Sequence, residues 1–179
     1  MTGTRRPTER EQAGQKLSEP WDALCVWDPA DAAALDAGRP RYRVAVDNGW
    51  GRVTAVALRA DGGHLYVGHS AAPVCRIEAL DLTPDGPRRA WVRALDGPAE
   101  AVVDLAASPD GRWLAVVANG VGSGHNVHAR RATDGAELDG VTAFPGRDSP
   151  CAGAIAPTGR ALVAASQSGV VTVWPIEVE

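Results

Sequence analysis

VVDLAASPDGRWLAVVAN (residues 102–119) is two short apolar runs joined by a Pro-Asp-Gly turn. Asp-Gly supplies the positive-φ position that a tight hairpin needs. The arrangement is written twice more. VTAVAL (53–58) and LYVGHS from Leu65 flank an Ala-Asp-Gly turn at 60–62, and CAGAIA (151–156) and LVAASQ from Leu162 flank a Pro-Thr-Gly turn at 157–159. Gly62 and Gly111 are 49 residues apart, and Gly111 and Gly159 are 48 apart. Internal repetition at such a period marks stacked supersecondary units.

A second turn recurs within each unit. Asp85-Gly86 and Asp134-Gly135 are again 49 apart, and each precedes a further strand-like run: RAWVRAL (89–95) and VTAF (141–144), matched by RYRVAV (41–46) nearer the N-terminus. Each unit therefore reads as strand, Gly turn, strand, loop, strand, Gly turn, strand: a four-stranded antiparallel meander. The first strands carry small apolar residues on both faces (Ala55, Ala57, Ala106, Ala107, Ala152, Ala154), which suits a crowded strand covered on two sides. The fourth strands alternate: Tyr42, Val44 and Val46 share one side and Arg41 and Arg43 the other, which suits an outer strand with one wet face. No stretch between turns shows a 3.6-residue period, so few helices are expected. The fold class is all-β, a β-propeller of four-stranded antiparallel blades with about three blades in this chain. A polar flexible tail is expected over 1–20, and a partial propeller over 21–179, in units of about 21–46, 50–95, 99–144 and 148–179.

Composition narrows the functional classes. The 179 residues are 45% apolar, enough for a folded core. A net charge of −4 argues against binding driven by phosphate neutralisation, so no nucleic-acid partner is expected. No apolar run approaches the 18 residues of a membrane span, and the N-terminus has no signal-peptide core, so no membrane contact and a cytoplasmic location are expected. Cations are almost all Arg, with Lys16 the only lysine, a bias that fits a GC-rich bacterial genome. Cys25, Cys75 and Cys151 are widely spaced with no CxxC pair, and read as buried reduced thiols.

SPDGRWLAVV (108–117), CVWD (25–28) and VTVW (171–174) resemble the first-hairpin and third-strand motifs of WD40-repeat β-propellers, and the resemblance spans about residues 23–176. It implies a rigid scaffold that binds other proteins. The family's Gly-His dipeptide is replaced by DNGWGR, DGPAEA and PGRDSP, and Pro175 follows Trp174 where the family has Asp.

Propellers have about four to eight blades. This chain holds two complete units, two strands before them and three after. Open sheet edges and blade faces are adhesive. Completion by another polypeptide or a longer parent, a homodimer that exchanges N-terminal strands, and an open stack each accommodate that count.

The search for chemistry yields near misses. Gly68-His69-Ser70-Ala71-Ala72 falls short of a nucleophile elbow and reads as a loop between second and third strands. GVGSG (120–124) has neither the helix nor the Lys of a phosphate loop, and reads as an elongated blade loop. His64, His69, His125 and His128 have no metal-ligand spacing; His64 and His69 are placed in or near turns. Asp104 interrupts an apolar first strand, as a channel carboxylate paired with an Arg or water, or as a ligand contact. Asn48, Trp50 and Arg52, with Asp47, form a turn between units; Trp50 is either an interface anchor or packing. Arg147 and Asp148 occupy the corresponding later turn. Candidate binding positions are therefore Asn48, Trp50, Arg52, His69, Asp104, Arg147 and Asp148. The expectation is a non-enzymatic interaction module with a protein partner or a second copy of itself, no cofactor and no metal. The rivals are a small-molecule, carbohydrate or catalytic site in the central channel or a subunit interface, and a fragment of a larger propeller.

Overall fold

A computed structural model describes residues 23–45, 51–70, 74–95, 101–119, 126–141, 143–144 and 148–176. The chain divides into two compact units, Met1–Asn48 and Gly49–Glu179. Among the described residues the structure is strands in four antiparallel sheets, plus one short helix.

In the first unit, β1 (Ala23–Val26) pairs antiparallel with β2 (Tyr42–Ala45). The expected strand at CVWD ends at Val26, so Trp27 and Asp28 lie beyond it. The Asp28 carboxylate accepts a hydrogen bond from the Ala30 N–H at 3.0 Å and turns the chain. Helix α1 (Ala32–Asp36) follows, with the Asp31 side chain accepting from the Ala34 N–H at 2.9 Å. An Asp before an Ala-rich run is an N-cap signal. Val44 is buried and Arg41 and Arg43 are exposed, the alternation read from the sequence.

In the second unit, β3 (Arg52–Leu58), β4 (His64–Ser70), β5 (Arg76–Thr83) and β6 (Gly86–Ala94) form one meander. A second meander contains β7 (Ala101–Ala107), β8 (Trp113–Asn119), β9 (Val127–Arg131) and β10 (Glu137–Val141). The third sheet has three strands, β11 (Pro150–Ile155), β12 (Ala161–Ser166) and β13 (Val171–Pro175). This arrangement is compatible with a propeller-like fold. VTAF is not the fourth strand of its sheet: β10 lies earlier, and Phe144 is a buried anchor beyond the strand. The side chain of Asn126 takes the place of a strand partner there, donating to the Phe144 carbonyl (3.1 Å) and accepting from the Ala143 N–H (2.8 Å).

The first hairpin of each sheet is built alike. Gly62, Gly111 and Gly159 have φ of +70°, +69° and +71°, a region that costs other L-residues about 1–2 kcal/mol. Their N–H groups donate to the carbonyls of Arg59, Ser108 and Ala156. The first strands share a second irregularity. Pairing shifts register between Val53 and Ala55, between Val102 and Asp104, and between Pro150 and Ala152. A bulge near the start of a strand bends it and re-aims its side chains.

The sheets pack face against face. Tyr66, Ile77, Ala79 and Trp91 of the first meet Val102, Leu105, Leu114 and Val116 of the second. Trp113, Ala115, Val127 and Phe144 on the other side of the second meet Leu162, Ala164 and Trp174 of the third. The central strand β8 is thus buried along both faces. Close approach uses a missing side chain at each interface. A Cβ on Gly68 would lie 2.6 Å from Val102 Cγ1, and one on Gly153 would collide with Val117 Cγ2. Cys75 is buried, but Cys25 and Cys151 are exposed free thiols, contrary to the sequence reading.

Candidate functional site

The sequence-derived candidates are not gathered at one place. Asn48, Trp50 and Arg147 lie outside the described residues, as do His125 and the GVGSG segment. Arg52 is the exposed first residue of β3, paired with Ser70. Asp148 accepts from the Ser168 hydroxyl (2.7 Å) and the Ser168 N–H (3.3 Å); hydrogen bonds from Ser168 and Ser166 hold its carboxyl below the usual range. It ties a loop together.

Among the described residues Asp104 forms no ion pair with an Arg and accepts two backbone hydrogen bonds. One oxygen accepts from the Leu105 N–H at 2.9 Å, and the other from the Gly153 N–H on β11 at 2.8 Å. The bulge aims this carboxylate at the next first strand, where an N–H is free to donate. Thr54 does the corresponding job one unit earlier, donating its hydroxyl to the Val102 carbonyl at 2.6 Å. The Ser70 hydroxyl lies 2.8 Å from Thr54 Oγ1 and accepts from the Val102 N–H at 3.0 Å. These polar groups join one sheet to the next.

His69 is not in a loop but inside β4, fully buried, with Nε2 3.2 Å from Glu78 Oε2. Arg89 Nε donates to Glu78 Oε1 at 2.6 Å. Burial pushes the Glu78 carboxyl up, but the hydrogen bonds from His69 and Arg89 outweigh it and hold the group below 4.5. A similar trio, which sequence reading missed, lies in the second meander. Glu137 accepts from Arg130 Nη2 at 2.6 Å, and its other oxygen is 3.3 Å from His128 Nδ1. His64, at the start of β4, pairs with Asp81 at 3.0 Å. For the first trio the signal was His69 and Glu78 within largely apolar strands, HLYVGHS and RIEALDLT; the second lies on the polar strands VHARR and ELDGV, which gave no such contrast. Buried charges persist only when paired in this way.

Among the described residues the outer face of the third sheet is open, and Val56 and Leu58 on β3 of the first sheet are exposed as well. Second and third strands pair at corresponding places: Gly68 with Ile77, Val117 with Val127, Ala165 with Val171. Ile77 is 0% exposed and Val127 1%, because another sheet packs over each; Val171 is 63% exposed. The next pair repeats the contrast, with Ala79 fully buried and Val173 59% exposed. Register places Ala152, Ala165 and Val171 in one row and Ala154, Val163 and Val173 in the next. Residues directly opposite in a sheet point the same way, so these six make a continuous face with no polar side chain. β13 is also an edge strand, with no strand on its far side among the described residues.

The first unit carries a cleft of about 290 Å³ between α1 and the ends of its strands, lined by Trp27, Asp28, Asp31, Leu35, Arg39 and Arg41 among others. Arg41 donates to Asp28 across it at 3.4 Å. Among the described residues no group of three His, Cys, Asp or Glu side chains is placed to hold a metal, and no helix is long and apolar enough to cross a membrane. Comparison of the chain with protein-family models found no match, and none was found among curated proteins.

Proposed function

We propose that this chain is a partial, WD40-like β-propeller acting as a non-enzymatic protein–protein interaction module, completed by a partner chain or by self-association. Two features support the propeller reading. First strands of successive sheets are linked side by side, through Thr54 to Val102 and Asp104 to Gly153. The sheets also stack in sequence order with equivalent positions at each interface.

One observation carries the functional part: the face that is buried in the first two sheets is exposed in the third, at Val171 and Val173. An apolar face of this kind marks an interaction surface. The test compares proteins captured from the source cell by the wild-type chain and by V171D/V173D, after both are shown to unfold at the same temperature. The reading expects a discrete set, the chain itself included, that the variant loses. An identical set on both baits, or none on either, overturns it.

A further inference from the structure

We infer that the open face of β11, β12 and β13 is an isologous interface, and that its occupant is the same face of a second copy of this chain. The inference rests on the interaction reading and names the partner.

Size complementarity makes the argument. The face is graded from one side to the other. β11 contributes only Ala152 and Ala154, β12 contributes Val163 and Ala165, and β13 contributes Val171 and Val173. A two-fold axis running along β12 would reverse strand order between the copies. The valines of β13 would then lie over the alanines of β11, twice, with the β12 strands facing each other at the centre. Two sheets packed with aligned strands need this interdigitation to close the space of about 10 Å between them. Large on small is also how this chain already packs its own sheets, with Val102 seated over Gly68 and Val117 over Gly153. The proposed contact continues that series with the same face of the same kind of unit.

Charge points the same way. None of the six residues is ionisable, so a partner face must be equally apolar to avoid stranding a charge. The face meets that requirement itself. A patch that is complementary to itself under a two-fold rotation generates a closed dimer.

The experiment is light scattering on the purified full chain over a concentration series. The inference expects a mass twice the 18.6 kDa of one chain. V171K/V173K should weaken the dimer by about a hundredfold or more, because four charges would enter the interface. The paired exchange A152V/V171A moves large and small across the axis and should restore association that each single change weakens. Circular dichroism confirms that every variant is folded. A wild-type chain that stays at the single-chain mass overturns the inference, as does a dimer that V171K/V173K leaves intact. If the chain is a monomer but V171D/V173D still abolishes capture of another protein, only the identity of the partner has failed. If neither copy nor protein is bound, the interaction reading has failed as well.

Discussion

The Asp104 carboxylate accepts a hydrogen bond from the backbone N–H of Gly153, which lies 49 residues further along the chain at 2.8 Å. Asp104 stands directly after the bulge of its first strand, and Gly153 lies one residue beyond Ala152, which holds that place on the next first strand. Asp104→Ala removes the acceptor and leaves a half-buried N–H without its partner, at about 1–3 kcal/mol. Asp104→Asn keeps an acceptor oxygen and should recover most of that. Urea unfolding of the two variants measures the difference. Equal losses would mean that the charge, not the link to β11, is what matters.

Gly68 lies against Val102, whose own Cβ would be 2.9 Å from a Cβ added at 68. That neighbour cannot swing away, because a β-branched side chain is stiff. Gly68→Ala should therefore destabilise by about 1–3 kcal/mol through overpacking. Val102→Ala alone leaves a cavity. Combined, the two changes should cost less than their sum, and a double-mutant cycle reads the coupling.

Trp91 is buried with its indole N–H donating to the Ala132 carbonyl at 3.0 Å, and its ring lies 6.1 Å from that of Tyr66. The contact fastens the outer strand of the first meander to a turn of the second. Trp91→Phe keeps most of the apolar bulk and loses the donor, at about 1–3 kcal/mol. Trp91→Ala should lose about 3–5 kcal/mol. Thermal unfolding separates the two.

Glu78 governs an acid limb of stability. Its folded carboxyl is held below 4.5 by His69 and Arg89 against the opposing effect of burial. A depressed acid stabilises the fold fully above its unfolded value, and that contribution fades as pH falls through the folded value. The wild-type chain should therefore lose this contribution as pH falls below the ordinary range of a glutamate carboxyl. Glu78→Gln should be less stable at neutral pH and have a flatter acid limb. Urea midpoints against pH check the slope; parallel curves would remove Glu78 from the account.

What the sequence disclosed was what backbone geometry forces. The turns at Gly62, Gly111 and Gly159 are legible because only glycine takes their φ cheaply, and strand order follows from them. Trp27 was misplaced because CVWD looks like a strand while Asp28, through a local hydrogen bond, ends it. The Asp31 cap was present in the sequence but stands before a helix of only five residues, too short to show a period. His69 falls in a loop on the sequence reading because Gly68-His69-Ser70-Ala71-Ala72 is a near miss for a nucleophile elbow; Gly68 instead receives Val102, which no local pattern reveals. The same limit hid the open face. Val171 and Val173 read as ordinary strand valines, and only the contrast with Ile77 and Val127 sets them apart.

Gly68 and Val117 stand at the same place in successive units, yet one is a socket and the other a plug. The modules are consequently not interchangeable. A second unit stacked on a duplicate of itself would drive Val117 into Val102, and the first unit set directly before the third would leave Gly68 opposite Gly153 with a void between them. Each joint accepts its own neighbour and rejects the alternatives, so the linear order of the copies is enforced by shape as well as by the covalent chain.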